Sequence, residues 1–181
     1  MRIGVLDTAI EMTEGDITQV TADAIVNAAN AHLAGGGGVD GAIHHAGGPE
    51  IIEECRRIGG CPTGSAVRTT AGSLQARHII HAVAPRWKGG TANEAALLES
   101  AYRTSLQLVD ELADRTVAFP SLGTGIYGYP IEQATEIALR TTREHILAGT
   151  EISSITFVLF SAQDLEIYKS RANTVFDTSS Q

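Results

Sequence analysis

The sequence of 181 residues is poor in cysteine and contains no long apolar run. Its 2 cysteines, Cys55 and Cys61, form no C-x-x-C pair, and with His44 and His45 they match no standard spacing of zinc ligands. We therefore expect two free thiols and no metal site. No apolar stretch approaches the ~20 residues that span a bilayer, and the N-terminus does not read as a signal peptide. These absences predict a cytoplasmic protein without a membrane partner.

Basic residues are also scarce. The chain has 13 Lys and Arg against 21 Asp and Glu, which gives a formal net charge of -8. Proteins that bind extended nucleic acid normally carry clusters of Lys and Arg. The densest basic spots here, Arg56-Arg57 and Arg86-Lys88, are too small for that purpose. A small anion can still bind, because backbone N–H groups hold it without side-chain charge.

Short apolar runs alternate with amphipathic segments along the chain. This alternation predicts a single α/β domain over residues 1–181, built as a three-layer α/β/α sandwich with a mixed, largely parallel central sheet. Nearly continuous apolar runs are typical of strands that are buried on both faces. Strands are predicted at 3–6, 10–14, 24–29, 66–71, 78–83, 116–120 and 154–160. Helices are predicted at 39–46, 49–57, 93–112, 130–147 and 163–170, and the last residues, TSSQ, are expected to be frayed.

The run GGGGVDGAIHHAGG at 35–48 is the densest unusual feature. Consecutive glycines carry a high entropic cost, which is easiest to explain if a ligand passes close to the backbone. Asp40 falls in the first turn of the following helix, where it could simply cap the helix. His44 lies one turn later on the same face, where it could line a ligand cleft or pack the helix onto the sheet. His45 points elsewhere and is expected to face solvent.

Polar residues follow a buried strand at Asn27 and Asn30. In such folds ligands lie beyond the carboxyl ends of the central strands. These two side chains could therefore bind ligand hydroxyls, or they could form a local turn with Asx-type hydrogen bonds. His78 and His81 flank another buried strand, and we expect both to be structural.

Two further segments follow strands. The glycines of SLGTGIYGYP at 121–130 allow successive N–H groups to form an anion-binding nest, and the next helix adds a partial positive charge at its N-terminus. A plain tight turn is the alternative. In EGDIT at 14–18, Asp16 could cap the following segment or accept a hydrogen bond from the amino group of a base.

Five segments together resemble the macrodomain family, in its order and spacing. The resemblance is to the MacroD-type branch, which includes bacterial O-acetyl-ADP-ribose deacetylases, and it covers about residues 10–170. It implies a three-layer α/β/α fold with a mixed sheet. The segments are EGDIT, IVNAAN, GGGGVDGAIHHAGG, CPTGSAV and SLGTGIYGYP.

The resemblance implies a catalytic pair, Asn30 and Asp40, and a histidine, His44, that some members need for full activity. Asp40 would position or deprotonate a water, Asn30 would hold the ribose hydroxyls and His44 would orient Asp40. Alternatively, Asp40 would only bind the ribose, and a phosphate of the substrate would hold the water. Two positions depart from the family: His45 stands where Arg is frequent, and Ser161 stands where Asp is common.

The resemblance also implies how the ligand is bound. Asp16 would recognise the amino group of an adenine, with Ile17 beside it, and Phe160 would stack on the ring. Asn27 is expected to contact ligand hydroxyls because it stands near the carboxyl end of a buried strand. The loops around the diphosphate and the distal ribose would comprise Gly37, Gly38, Val39, Ser121, Gly123, Thr124, Gly125, Ile126 and Tyr127.

The function implied is that of an ADP-ribose-binding hydrolase. It would remove an ester-linked group from the distal ribose, either acetyl from O-acetyl-ADP-ribose or mono-ADP-ribose from modified Asp or Glu side chains. No cofactor is expected, and the partners would be ADP-ribose, its esters and mono-ADP-ribosylated proteins, with nucleic acid only as an ADP-ribosylated end. Two alternatives stay open: a non-catalytic reader of ADP-ribose, and a regulator that binds RNA or a protein. The Asn30 and Asp40 pair favours the enzyme.

Overall fold

The computed structural model describes residues 1–176, and the predicted frayed end at 178–181 lies outside this range. Its strands are β1 (Arg2–Val5), β2 (Thr8–Glu14), β3 (Ala24–Ala28), β4 (Ala66–Thr70), β5 (His78–Ala82), β6 (Thr116–Phe119) and β7 (Ser154–Leu159). Its α-helices are α1 (Gly38–Gly47), α2 (Pro49–Ile58), α3 (Glu94–Glu111), α4 (Ile131–Ala148) and α5 (Ala162–Phe176).

One mixed sheet contains these strands in the order β1-β2-β7-β6-β3-β5-β4. The five central strands run parallel, and the edge strands β1 and β4 are antiparallel to their neighbours. The prediction of a mixed, largely parallel sheet is confirmed. Because the parallel strands end on the same side, their following loops meet along one border of the sheet, which we call the carboxyl edge.

Helices cover both faces of the sheet, as predicted. On one face, Ile43 of α1 and Ile51 of α2 pack into one apolar cluster with Ile25 of β3. On the other face, α3, α4 and α5 contribute to a second cluster, in which Tyr168 of α5 lies against Phe157 with ring centroids 5.4 Å apart. Within residues 1–176, no helix is both long and apolar enough to cross a membrane.

The predicted element boundaries agree with the structure to within two residues, except for α5. That helix was expected to end at residue 170 but continues to Phe176. Tyr168 and Ala172 lie one helical turn apart and are both fully buried, so packing against the sheet extends the helix. No glycine or proline interrupts this segment.

A close contact between two backbone segments fixes the C-terminal end of α1. The carbonyl of Gly47 accepts a hydrogen bond from Ser73 N at 2.9 Å. A side-chain carbon on Gly72 would collide with that carbonyl oxygen, and Gly72 also has a φ of +56°. Only glycine fits this conformation and this contact without strain. The C-terminal end of α1 is therefore held against the turn at 72–73.

We expect Gly72→Ala to lower the free energy of unfolding by about 2–4 kcal/mol. The left-handed conformation costs alanine about 1 kcal/mol, and relief of the backbone collision costs about 1–3 kcal/mol more. Gly59→Ala is the matched control, because Gly59 has a φ of +87° but open space around it. Urea denaturation followed by circular dichroism measures both variants. Equal losses would show that the contact with Gly47 does not hold α1.

Candidate active site

Asp40 occupies the centre of a polar cluster at the carboxyl edge. It lies in the first turn of α1 and is only 6% exposed. Its Oδ1 accepts a hydrogen bond from Asn27 Nδ2 at 2.7 Å and lies 3.3 Å from His44 Nε2. Within residues 1–176, no Lys or Arg forms an ion pair with it. The carboxylate is thus held by neutral or titratable donors and by the N-terminus of α1, which favours negative charge.

The second oxygen of Asp40, Oδ2, faces the glycine run. A side-chain carbon placed on Gly36 would lie 3.2 Å from this oxygen and 3.9 Å from Asn30 Nδ2. Asn30 itself donates to Gly35 O at 2.8 Å and accepts from Ala34 N at 3.1 Å. Asn30 therefore closes the turn before the glycines, and its amide nitrogen and Asp40 Oδ2 both border the space over Gly36.

Asn27 does not lie where the sequence suggested. Its side chain is fully buried beneath Asp40, and its amide nitrogen contacts Asp40 Oδ1 and, at 3.1 Å, His81 Nδ1. The expectation that Asn27 contacts ligand hydroxyls directly does not agree with this placement. The residue supports Asp40 from inside the protein, because its position in β3 turns it toward the helices α1 and α2 rather than beyond the strand end.

His44 lies against the carboxylate of Asp40. Its side chain is 14% exposed, and its buried Nδ1 has no hydrogen-bond partner among the described residues. Both interpretations of His44 stay open, because its ring lies beside Asp40 and its centroid is also 5.9 Å from that of His81 on the sheet. His45 is exposed, as predicted. His78 bonds to Asp114 Oδ2 at 2.6 Å near the opposite end of β5, which agrees with a structural role.

His81 joins this cluster, although the sequence indicated only a structural histidine. It is fully buried, and its Nε2 lies 2.8 Å from Thr69 Oγ1. Burial, with a smaller contribution from the charge of His44, lowers the pKa of His81 to about 3, so the ring is neutral. The signal for this contact is the register of two neighbouring strands, in which Asn27 pairs with His81. That register becomes visible only when the strand order is known.

His44, Cys55 and His81 bring three atoms that could bind a metal within 4.8 Å of one another. A zinc ion would need a thiolate and an unprotonated ring nitrogen from each histidine. Burial, together with the charges of Asp40 and Glu54, raises the pKa of Cys55 to about 11. A cation at this position would therefore have to displace a firmly held thiol proton.

Two backbone segments at the carboxyl edge can bind an anion. The N–H groups of residues 36–39 and 124–127 donate to no acceptor within the described part of the chain. Gly123 and Gly128, with φ values of +80° and +68°, shape the second segment. The two segments follow β3 and β6, which are neighbours in the sheet. Such N–H groups can hold an anion although the chain is acidic.

Tyr127, in the second of these segments, is held from one side. Arg86 lies 4.5 Å from the centroid of the Tyr127 ring, and Trp87 N donates to Tyr127 O at 2.8 Å. The neighbouring Ile126 is 79% exposed. Within the predicted loop Ser121 through Tyr127, Ile126 is therefore exposed to solvent, whereas Tyr127 is anchored by its contacts with Arg86 and Trp87.

Asp16 and Phe160 lie next to each other in the order of the sheet, after β2 and β7. Asp16 Oδ1 accepts hydrogen bonds from Thr18 N at 2.9 Å and Thr18 Oγ1 at 2.7 Å, so the capping interpretation of this residue agrees with the structure. Ile17 is buried in the core. Phe160 is 94% exposed, which is unusual for so large an apolar ring and leaves it free to stack on a flat ligand.

Comparison with known proteins gives a consistent picture. The family model of the Macro domain matches residues 26–138. A macro domain-containing protein of Caldanaerobacter subterraneus subsp. tengcongensis is 56% identical over 163 residues, which cover 88% of this chain and 93% of the relative. The O-acetyl-ADP-ribose deacetylase 1 of Pantoea vagans is 49% identical over 163 residues, which cover 88% and 95%. The Oceanobacillus iheyensis macrodomain, solved as a mutant with ADPR, superimposes with a TM-score of 0.93 at 39% identity, covering 98% of this chain and 99% of that one.

The environment of Cys55 predicts its reactivity. A rise of the pKa from 9.0 to about 11 lowers the thiolate fraction at neutral pH by about 100-fold. We therefore expect iodoacetamide to alkylate Cys55 at least about 100-fold more slowly in the native protein than in concentrated urea. Mass spectrometry of the digested protein measures the rate at each cysteine separately. A native rate near that of the unfolded chain would contradict the buried cluster.

Proposed function

The chain belongs to the macro domain family, and from this premise we propose that it binds ADP-ribose and hydrolyses an ester on the distal ribose. The observation that carries the proposal is the arrangement of Asp40, whose Oδ1 is held internally while its Oδ2 faces the space over Gly36 beside Asn30. The similarity to proteins named O-acetyl-ADP-ribose deacetylase supports acetyl as one of the groups removed.

The order of the strands suggests how the ligand lies. Asp16 follows β2, Phe160 follows β7, the loop at 121–128 follows β6 and the glycine run follows β3. These four strands are consecutive in the sheet and span about 14 Å at the usual spacing. An extended ADP-ribose would place its adenine by Asp16 and Phe160, its diphosphate on the free N–H groups and its distal ribose by Asp40.

The reaction needs an activated water and a proton for the leaving oxygen. In our proposal Asp40 Oδ2 accepts a proton from water while the water oxygen bonds to the ester carbonyl carbon. The bond from that carbon to the ribose oxygen then breaks, and the ribose oxygen takes the proton back. Asn30 holds a ribose hydroxyl with the amide hydrogen that it does not give to Gly35. His44 orients Asp40 through Oδ1.

Asp40→Asn is the sharpest test of this role. An asparagine keeps the shape of the side chain and can still accept from Asn27 through its amide oxygen, but it cannot accept a proton from water. We expect kcat on O-acetyl-ADP-ribose to fall by about 100- to 10,000-fold, as for the loss of a general base. Calorimetric titration should show that ADP-ribose still binds within about tenfold, because the N–H groups that bind the diphosphate are unchanged.

The matched variants are Asp40→Ala and Asn30→Ala. If turnover survives in all three variants, the catalytic assignment is wrong. A wild-type protein that binds ADP-ribose but turns over neither O-acetyl-ADP-ribose nor Glu-linked, Ser-linked or nucleic-acid-linked ADP-ribose is a reader instead. The same panel of substrates identifies the preferred linkage.

Gly36→Ala tests the space beside Asp40 without changing any polar group. The φ angle of Gly36 lies outside the left-handed region, so alanine fits the backbone, but its Cβ would lie 3.2 Å from Asp40 Oδ2. Because displacements of about 1 Å at a reacting centre can cost ~100-fold, we expect kcat/KM to fall at least about tenfold with little change in stability. Gly4→Ala on the edge strand β1, with open space around it, is the control. Unchanged turnover in Gly36→Ala would place the reaction elsewhere.

A further inference from the structure

The proposed mechanism leaves unused the side chains that lie behind Asp40. We propose that His81 and Thr69 are positioning residues, which hold the amide of Asn27 in the single orientation that donates to Asp40 Oδ1. The proposal rests on the proposed function, since Asp40 must be the acting carboxylate. It assigns a role to two fully buried polar side chains, one from β5 and one from β4.

The chain of hydrogen bonds begins at a backbone carbonyl. Thr69 Oγ1 lies 2.9 Å from Thr70 O, which can only accept, so the Thr69 hydroxyl donates its hydrogen there. The same Oγ1 lies 2.8 Å from His81 Nε2. Having given away its single hydrogen, the hydroxyl can only accept from the ring. His81 therefore carries its proton on Nε2.

With the proton on Nε2, the other ring nitrogen of His81 is an acceptor. Asn27 Nδ2 lies 3.1 Å from it and 2.7 Å from Asp40 Oδ1, so each of the two amide hydrogens has an acceptor. A proton on Nδ1 would face these amide hydrogens. Turning the amide around would relieve that conflict but would set Asn27 Oδ1 against the carboxylate oxygen. Only the neutral ring with its proton on Nε2 satisfies every contact.

The buried oxygen of Asn27 shows that this orientation is imposed. Asn27 Oδ1 has no hydrogen-bond partner within the described part of the chain. An unpaired buried carbonyl is costly, so the amide would gain by turning if its two acceptors did not hold it. Without His81 as the second acceptor, only the contact with Asp40 holds the amide, and the direction of the Asp40 carboxylate relative to the cleft is less tightly fixed.

The titratable groups around His81 do not disturb this assignment. Cys55 Sγ lies 3.8 Å from Nε2 and stays a neutral thiol, because burial raises its pKa. The ring of His44 lies 5.9 Å away between centroids, and Asp40 is separated from the ring by Asn27. A charged His44 disfavours a second charge on His81, in the same direction as burial.

The proton position can be measured directly. Nitrogen-15 NMR of the wild-type protein should show His81 as the neutral Nε2–H tautomer throughout the range from about pH 5 to pH 8, where an ordinary histidine titrates. A ring that titrates in this range, or that carries its proton on Nδ1, overturns the proposal. This measurement requires no turnover.

Kinetics of matched variants test the consequence for Asp40. Thr69→Val keeps the shape but removes the acceptor of Nε2–H, whereas Thr69→Ser keeps a hydroxyl. His81→Leu removes the acceptor for Asn27, whereas His81→Asn places an amide oxygen near the former Nδ1. Loss of such supporting contacts typically costs about 10- to 100-fold in activity. We expect kcat to fall in this range for Thr69→Val and His81→Leu, to be largely retained in the conservative variants, and KM to stay within about twofold.

The two proposals can fail separately. Suppose that the wild-type enzyme turns over the ester and that the Thr69→Val variant has the melting temperature of the wild type. If this variant then keeps full kcat, the positioning role is wrong and the proposed function stands. An equal loss in Thr69→Val and Thr69→Ser, or a loss confined to KM, also overturns the positioning role. If the wild-type protein turns over no ester, the proposed function fails, whereas the NMR result still decides the state of His81.

Discussion

The hydrogen bond from Asn27 to Asp40 joins the interior of the sheet to the glycine run. One partner lies in the central strand β3, and the other lies in the first turn of α1, where flexible glycines precede it. Without a fixed contact at this point, the loop of glycines would leave the direction of the carboxylate undetermined. The bond therefore transfers the rigidity of the sheet to the side chain that we propose as the catalytic carboxylate.

Asp40 is held without an ion pair to Lys or Arg in the described part of the chain. A nearby Lys or Arg would form a charge-assisted pair with the carboxylate. Here the carboxylate is balanced by an amide, an imidazole and the N-terminus of α1. In our proposal the phosphates of the ligand are bound by the N–H groups of residues 36–39 and 124–127, which donate to no acceptor in the described part of the chain. Asp40 thus keeps its charge directed at the space over Gly36.

The fold and the positions of Asp40 and His44 on α1 could be predicted because they depend on local patterns. Apolar runs locate the buried strands, and the spacing of apolar residues locates α3 and α4. The place of Asp40 follows from the glycine run before it, and the place of His44 follows from the helical spacing of four residues. The end of α5 could not be predicted, since Tyr168 and Ala172 extend it through contacts with distant strands.

The partners of Asn27 could not be predicted for a different reason. The alternation of a strand indicates that Asn27 shares a face with Ile25, but not which strand lies beside it. His81 becomes its neighbour through the register of β3 and β5, which are far apart in the sequence. A polar residue near a strand end therefore looks like a ligand contact when it is in fact a buried support. Sequence patterns show where a side chain points, but they do not show what it meets.

Two buried polar atoms near Asp40 have no hydrogen-bond partner among the described residues, which is unfavourable for stability. Among the described residues, Asn27 Oδ1 and His44 Nδ1 are buried without hydrogen-bond partners. Each belongs to a side chain whose other polar atom contacts Asp40: Nδ2 in Asn27 and Nε2 in His44. Such a pattern lowers stability, since buried polar atoms are normally paired. Both atoms belong to neighbours of Asp40, which agrees with the proposal that the orientation of this carboxylate is fixed at some cost in stability.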